Sequence, residues 1–428
     1  MRDNKSSDQT QDVRRRRVFY IPGYDPIHPR RYRELYRKEG AAQAAINGYA
    51  LALSPKSTKG GPYGWHVRGE IGAPVETDVE VLVWSDIVRD SMSNSILATY
   101  LQLIRTAWAY IGTGALWRLM RLRKGPVIAA LYPVLFLIAQ LLMALLVGAA
   151  VTTGTGFLGG LAERALYPAR PFTPLFYPIL LMSLGLGGLA AWAVLDWFKR
   201  KDGKFFAYYL MHDYAYSARS GGANPPALET RMAQFGDRIA AALTEDFDEV
   251  LVVGHSSGAH LAVSILADLI RAGRVPAPGP ALAFLSLGQV VPMVSFLPHA
   301  DRLRADLHDL SLSDALTWVD VTAPGDGCAF ALCDPVHVSS VAPAGKKWPL
   351  VVSAAFTQTL KPETWKALRW RFFRLHFQYL CAFDAPGDYD YFQITAGPMT
   401  LATRYKGRAP SKSRIETPVN KFTSRSVS

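Results

Sequence analysis

Two stretches of the chain stand out from the alternation of apolar and polar positions around them. Val127 to Val151 contains no charged residue, and neither does Leu175 to Leu195. A helix needs roughly 20 predominantly apolar residues to cross the hydrocarbon of a bilayer. The pattern therefore predicts an inserted pair of transmembrane helices, at about 127–151 and 175–197. The linker between them is rich in Gly and Pro, with only Glu163, Arg164 and Arg170 charged. Arg121, Arg123 and Lys124 precede the pair, and Lys199, Arg200, Lys201 and Lys204 follow it. Lysine and arginine are retained on the cytoplasmic side of spanning helices, so both outer ends, the remainder of the chain and both termini are expected there. The competing reading is a pair of core helices or an apolar lid, since Pro133 and Pro178 interrupt the runs.

Outside this pair the pattern switches repeatedly between β-type runs and helical spacing. Val18-Phe19-Tyr20-Ile21 is a short apolar run stopped by Pro22-Gly23, and a helical stretch follows from about His28 to Ala50. Val79 to Trp84 predicts a second buried strand. Residues 91–123 place apolar and aromatic side chains at helical spacing among Arg105, Arg118, Arg121 and Arg123, which suits a helix lying along a membrane surface. Beyond the apolar pair come a helix from Glu229 to Thr244 and strands at Glu249–Val253, Ala281–Leu287, Leu316–Val321 and Leu350–Ala355. Helices are expected near Leu261–Ala272 and Pro362–Leu380. Such alternation predicts an α/β fold with a mostly parallel sheet flanked by helices. The domain would be split between residues 18–90 and 205–400, with 91–204 as an insertion. Residues 1–17, ending in Arg14 to Arg17, and residues 401–428 read as disordered basic tails.

Composition narrows the partners. With 428 residues and a formal net charge of +12, the surface favours something anionic. The basic residues gather in the tails and beside the apolar pair rather than on one aromatic-interleaved face, so a membrane lipid is expected as partner and nucleic acid is not. Three cysteines, Cys328, Cys333 and Cys381, are too few and too unevenly placed for a disulfide framework, and Cys328/Cys333 has no matching pair for a zinc site. A reducing compartment follows as the expectation. Apart from the short run at 18–21 the first 40 residues are polar, which does not suit a cleaved secretory signal.

The residues from Leu251 to Ala262 carry the chemistry. An apolar strand runs into Gly254-His255-Ser256-Ser257-Gly258 and then into an Ala- and Leu-rich helix. This Gly-X-Ser-X-Gly in a strand-turn-helix context is a nucleophile elbow, in which small residues at Gly254 and Gly258 permit a tight turn and Ser256 is pushed out at the edge of the sheet. The amide of Ser257, at the start of the helix, would stabilise an oxyanion. A second oxyanion donor is expected from the loop after the first strand, at Gly23 or Tyr24. The ordinary alternative for each is a plain structural turn.

These residues resemble the α/β-hydrolase superfamily, in its broad lipase and esterase branch, over roughly 18–90 and 205–400. The resemblance implies a triad in the chain order serine, acid, histidine. Downstream of Ser256 lie His260, His299, His308, His337 and His376. His376 follows the last parallel strand and is preferred. Asp326, in the loop after the strand Leu316–Val321, is preferred as the acid over Asp320 and Asp334. The implied activity is hydrolysis of a carboxylic ester, a lipid or long-chain acyl ester, with no cofactor and no metal. A catalytically idle membrane scaffold that binds a protein partner is the alternative.

Overall fold

The computed structural model describes residues 12–56, 61–92, 95–168 and 175–426. The chain divides into two compact units. One takes Met1–Ser91, Trp108–Ile128 and Ser217–Ser428, and the other takes Met92–Ala107 and Ala129–Tyr216.

The first unit is built on an eight-stranded, mostly parallel sheet. Its strands are β1 (Arg15–Ile21), β2 (Ala50–Pro55), β3 (Gly64–Ile71), β4 (Ala73–Val81), β5 (Glu249–His255), β6 (Ala281–Leu287), β7 (Thr317–Thr322) and β8 (Leu350–Ser353), in the spatial order 2-3-4-1-5-6-7-8. β4, β1, β5, β6, β7 and β8 run parallel, while β3 is antiparallel to both its neighbours. The central strands are buried on both faces and are apolar over most of their length, with Arg16, Glu249, Ser286 and Asp320 as buried exceptions. On one face Val18, Tyr20, Leu251, Val253, Leu285 and Val321 share a core with Tyr32 and Tyr36 of the helix Arg30–Asn47 and with Tyr379 and Phe392. The alternate positions, Phe19, Val250, Val252, Phe284 and Trp318, are buried on the opposite face. The helix Ser257–Arg271 packs against β1, β5 and β6, and the helices Pro226–Ala242 and Asp301–Leu312 pack against it in turn.

Several expectations from sequence need correction. Arg15 to Arg17 belong to β1 rather than to a solvated tail, because each finds a carboxylate. Arg16 is fully buried, with Nε donating to Glu249 Oε2 at 2.6 Å and its other nitrogens to the carbonyls of Gly397 and Met399. Arg17 pairs with the buried Glu80. Residues 401–426 are likewise seated on the sheet unit. Glu249 accepts the Leu401 amide, Ile415 bridges to Cys333, and buried Asn420 donates to the Ser295 carbonyl at 2.9 Å. Val13 is also buried, and only 1–11 and 427–428 of the expected tails lie outside the described residues. The antiparallel β2–β3 pair was not expected, although Trp65, Val67 and Gly69 alternate with His66, Arg68 and Glu70 as a strand with one covered face requires. The helix expected over Pro362–Leu380 is broken into Pro362–Leu368, Phe372–His376 and a 3₁₀ turn at Gln378–Leu380.

Two helices are long and apolar enough to cross a membrane, Lys124–Leu166, which belongs to the second unit from Ala129 onward, and Phe176–Arg200. The first outruns the expected end at Val151. Its threonines bond back to the preceding turn, Thr153 to the Ala149 carbonyl at 2.9 Å and Thr155 to that of Val151 at 2.7 Å, so polar side chains are satisfied without leaving the helix. The two helices meet at small residues. A Cβ at Gly148 would lie 2.8 Å from the Gly187 carbonyl oxygen, and one at Gly187 would lie 1.9 Å from Thr152 Oγ1. Close backbone approach of this kind is how helices associate in lipid, where burial of apolar surface gives no driving force. Most of their large apolar side chains face outward, Leu146 at 71% and Leu181 at 68% exposure.

Candidate active site

Ser256 sits between the end of β5 and the helix Ser257–Arg271 with φ +56° and ψ −122°, a left-handed backbone that costs a non-glycine residue of order 1–3 kcal/mol. Both flanking glycines are obligatory, for different reasons. A Cβ at Gly254 would come 2.7 Å from the Gly258 carbonyl oxygen, inside the turn, whereas one at Gly258 would strike the Ile21 carbonyl oxygen at 2.1 Å, at the end of β1. The second clash shows that the turn is seated on the neighbouring strand. The Ser256 amide donates to the Leu287 carbonyl at 2.9 Å, which fixes the turn against β6.

The loop after β1 lies beside the serine. A Cβ at Gly23 would be 3.0 Å from Ser256 Cβ and 3.4 Å from its Oγ, so only glycine leaves room for the hydroxyl. Trp84 Nε1 donates to the Pro22 carbonyl at 2.9 Å, and Asp25 accepts from the Ile27 amide, Arg31 and Tyr32, so the loop is pinned at both ends. Tyr24 is buried, with its hydroxyl 2.6 Å from Ser91 Oγ and its ring edge-on to Trp84. Ser257 and Gly258 open the helix, where amides have no intrahelical acceptor. These amides, with the glycine loop, form a region suited to a developing negative charge.

Of the five downstream histidines, the structure pairs His376 with Asp326, Nδ1 to Oδ2 at 2.7 Å. Asp326 also accepts from Tyr379 Oη at 3.0 Å and from the Cys328 amide at 2.8 Å. Burial pushes its carboxyl upward, but the charge and hydrogen bond of His376, with those two further donors, hold it below the ordinary aspartate value. With Nδ1 engaged, His376 Nε2 is buried and has no hydrogen-bond partner among the described residues. Nε2 is therefore the nitrogen left to receive a proton, and it makes no bond to Ser256. Gly288, next after the Leu287 that binds the Ser256 amide, would place a Cβ 3.0 Å from His376 Cε1. The serine turn and the imidazole are thus held on consecutive residues, the last of β6 and the one that follows it.

The other candidates go elsewhere. His260 is buried in the helix, its pKa lowered to about 4 by burial, with Nδ1 unpartnered. His337 pairs with Asp334, which also binds Lys346, and His308 pairs with Asp309. Asp320 accepts from Ser286 across the β6–β7 pair, and burial raises its pKa to about 8.

Two groups were not assigned these roles from sequence. Tyr379 bridges the Ala323 amide and Asp326, tying the acid's loop to the histidine segment. His255, expected only as an elbow residue, has its pKa lowered to about 3 by burial first and by the His376 charge second. It is neutral and donates Nε2–H to the His376 carbonyl at 3.0 Å, with the two rings 4.9 Å apart. No spacing in the sequence announces either contact.

Two donor clusters among the described residues could hold a cation, Asp326/Cys328/His376 and Asp334/His337/Glu416, each with its ligand atoms within 4.8 Å of one another. In both, the carboxylate already pairs with a cationic or imidazole neighbour. All three cysteines are free thiols. No family model matches the chain, and no curated protein or solved structure matches it.

Proposed function

We propose that the protein is a membrane-anchored serine hydrolase that cleaves carboxylic esters through an acyl-enzyme. The observation that carries this reading is the Asp326–His376 pair, which engages Nδ1 and leaves Nε2 without a hydrogen-bond partner among the described residues, on an imidazole that meets Gly288, next to the Leu287 that binds the strained serine. Ser256 Oγ attacks the ester carbonyl while His376 Nε2 takes its proton. The oxyanion is met by amides at Gly23 or Tyr24 and at Ser257. The protonated imidazole then gives that proton to the departing alkoxide, leaving the acyl group on Ser256. Water, deprotonated by the same nitrogen, attacks the acyl carbonyl; the acid is released and the proton returns to Ser256. Asp326, kept ionised by its three donors, orients the ring and balances its charge.

The two apolar helices serve as a membrane hairpin with the sheet unit and both termini cytoplasmic. That arrangement keeps the site close to a bilayer and favours a lipid or long-chain acyl ester. The α/β-hydrolase fold fits the parallel order β4-β1-β5-β6-β7-β8 and the strand-turn-helix at Ser256.

A second reading, an idle scaffold that binds a protein partner, is favoured by one fact, that His376 Nε2 makes no bond to Ser256. Catalytic hydrogen bonds are often long before substrate binds, so the first reading stands ahead. A fluorophosphonate probe on the detergent-solubilised chain separates them. The parent is expected to label, Ser256→Ala not at all, and His376→Ala at a rate lowered by about 10²-fold or more. A folded parent that fails to label makes the scaffold the correct reading.

A further inference from the structure

We infer that the segment Arg369–Arg374 is a second membrane contact, belonging to the sheet unit itself, that docks on an anionic lipid surface beside the site; this rests on the hydrolase reading only for its effect on substrate. The sequence here is Arg369-Trp370-Arg371-Phe372-Phe373-Arg374, two residues before His376. Trp370 is 72% and Phe372 45% exposed, and among the other aromatic rings of this unit Trp108 and Trp117 are similarly exposed, at 79% and 60%. Arg369, Arg371 and Arg374 are exposed beside them and make no ion pair among the described residues. Over 361–376 there are five cations, Lys361, Lys366, Arg369, Arg371 and Arg374, against one acid, Glu363.

Alternation of guanidinium groups with large rings is the chemistry of a headgroup layer. The rings sit at the polar–apolar boundary, and the cations meet phosphate and carboxylate groups without leaving water. Here the two types already cooperate, with the Arg369 guanidinium 5.5 Å from the Trp370 ring centre. Several other surface arginines of this unit are matched with carboxylates, as Arg231 is with Asp86 and Arg274 with Asp237. Unmatched charge beside unmatched rings calls for a partner that supplies both anions and hydrocarbon.

The segment also adjoins the reacting groups. A Cβ at Gly327 would lie 3.1 Å from the Phe372 ring, and one at Gly325 would lie 2.5 Å from Trp365, so these rings cover the loop that carries Asp326. Gly125, in the first turn of Lys124–Leu166, comes to the same Gly327, where a Cβ would be 3.6 Å from its Cα. The start of a membrane-length helix, the exposed rings and the loop of the acid are therefore neighbours within this unit.

The test uses the full chain in lipid nanodiscs, one set of phosphatidylcholine and one with about a third phosphatidylserine, followed by hydrogen exchange of residues 366–376. Exchange there is expected to slow at least about fivefold in the anionic discs relative to the neutral ones. Trp370→Ala should shrink that protection, and Arg369→Gln combined with Arg371→Gln and Arg374→Gln should abolish its dependence on phosphatidylserine. In parallel, each variant is expected to hydrolyse a water-soluble short-chain ester as the parent does, and to lose turnover of a long-chain ester dispersed in the anionic discs. Equal exchange in both disc types overturns the docking surface, whatever the activity. Protection in the anionic discs with neither ester hydrolysed upholds the surface and sinks the hydrolase reading instead.

Discussion

The helix Ser257–Arg271 and the helix Lys124–Leu166 are both rich in aliphatic side chains, yet they dispose of them in opposite ways. In the first almost every residue is buried, Leu261, Ile265 and Leu266 among them, against strands and two further helices. In the second only 22% of the most apolar stretch is buried, and Leu135, Leu142, Leu145 and Leu146 are outward. Composition alone does not distinguish them. What differs is the supply of partners, since each strand of the sheet offers a complementary apolar face while the long helix is covered only in part, around Leu137 by Leu103, Tyr208 and Met211 and at Gly148 by Gly187. An outward aliphatic surface of that length is stable in hydrocarbon and costly in water, by about 25 cal/mol for each Å² exposed.

The comparison breaks most sharply at the seat of the buried helix. Gly258→Val places a side chain where the Ile21 carbonyl oxygen stands, 2.1 Å from a Cβ. Neither backbone has room to move, so a loss of more than about 4 kcal/mol is expected. Urea denaturation of the chain in nanodiscs would then find the sheet unit unfolded at the lowest concentrations. A normal midpoint would mean that the helix is not seated on β1 as described. The corresponding change where small residues face no backbone, Gly154→Val, has open space around its Cβ and is expected to leave the midpoint in place.

A milder pair sharpens the same contrast. Leu266→Ala removes a fully buried side chain and should lower stability by about 2–5 kcal/mol, through lost transfer energy and the cavity left behind. Leu146→Ala, 71% exposed, should shift stability in lipid by no more than about 0.5 kcal/mol. Equal costs would show that Leu146 is packed against protein and that the outward helix is a core helix after all.

How much of this was legible follows from the range of the interactions involved. The Ser256 turn could be read because its requirements are local, since the tight turn restricts residue types at Gly254 and Gly258 within five positions. The apolar helices could be read because absence of charge over 25 residues needs no partner to be visible. The acid and the histidine are 50 positions apart, and only an ordering rule singled them out; nothing next to Asp326 announces that Tyr379 will bond it. The ends were misread for a related reason. A basic, Ser-rich segment looks solvated until Arg16 finds Glu249 at a separation of 233 and Glu249 takes the Leu401 amide. Charge in sequence is ambiguous until its counterion is known.

The ionisable groups that separate the two regions give an effect read as a slope with pH rather than as a shift at one pH. Between Lys124 and Glu163 the long helix has no carboxylate or histidine, so pH in the ordinary range has nothing there to act on. The sheet unit buries Asp320 completely, with Oδ1 accepting from Ser286, Oδ2 unpartnered and the pKa raised to about 8 by burial. An unfolded aspartate titrates near pH 4. Below that value both states carry the proton and Asp320 adds no pH dependence. From there up to about 8 the folded state holds a proton the unfolded state has lost, so each rise of one pH unit weakens folding by about 1.4 kcal/mol. Asp320→Asn keeps a neutral group with an oxygen for Ser286 and removes this slope. Denaturation midpoints of parent and variant at about pH 5 and about pH 7 should therefore diverge, the parent losing stability relative to the variant as pH rises. Parallel behaviour would mean that Asp320 is ionised in the folded chain, and that water reaches the interior of the sheet unit at the Ser286–Asp320 pair.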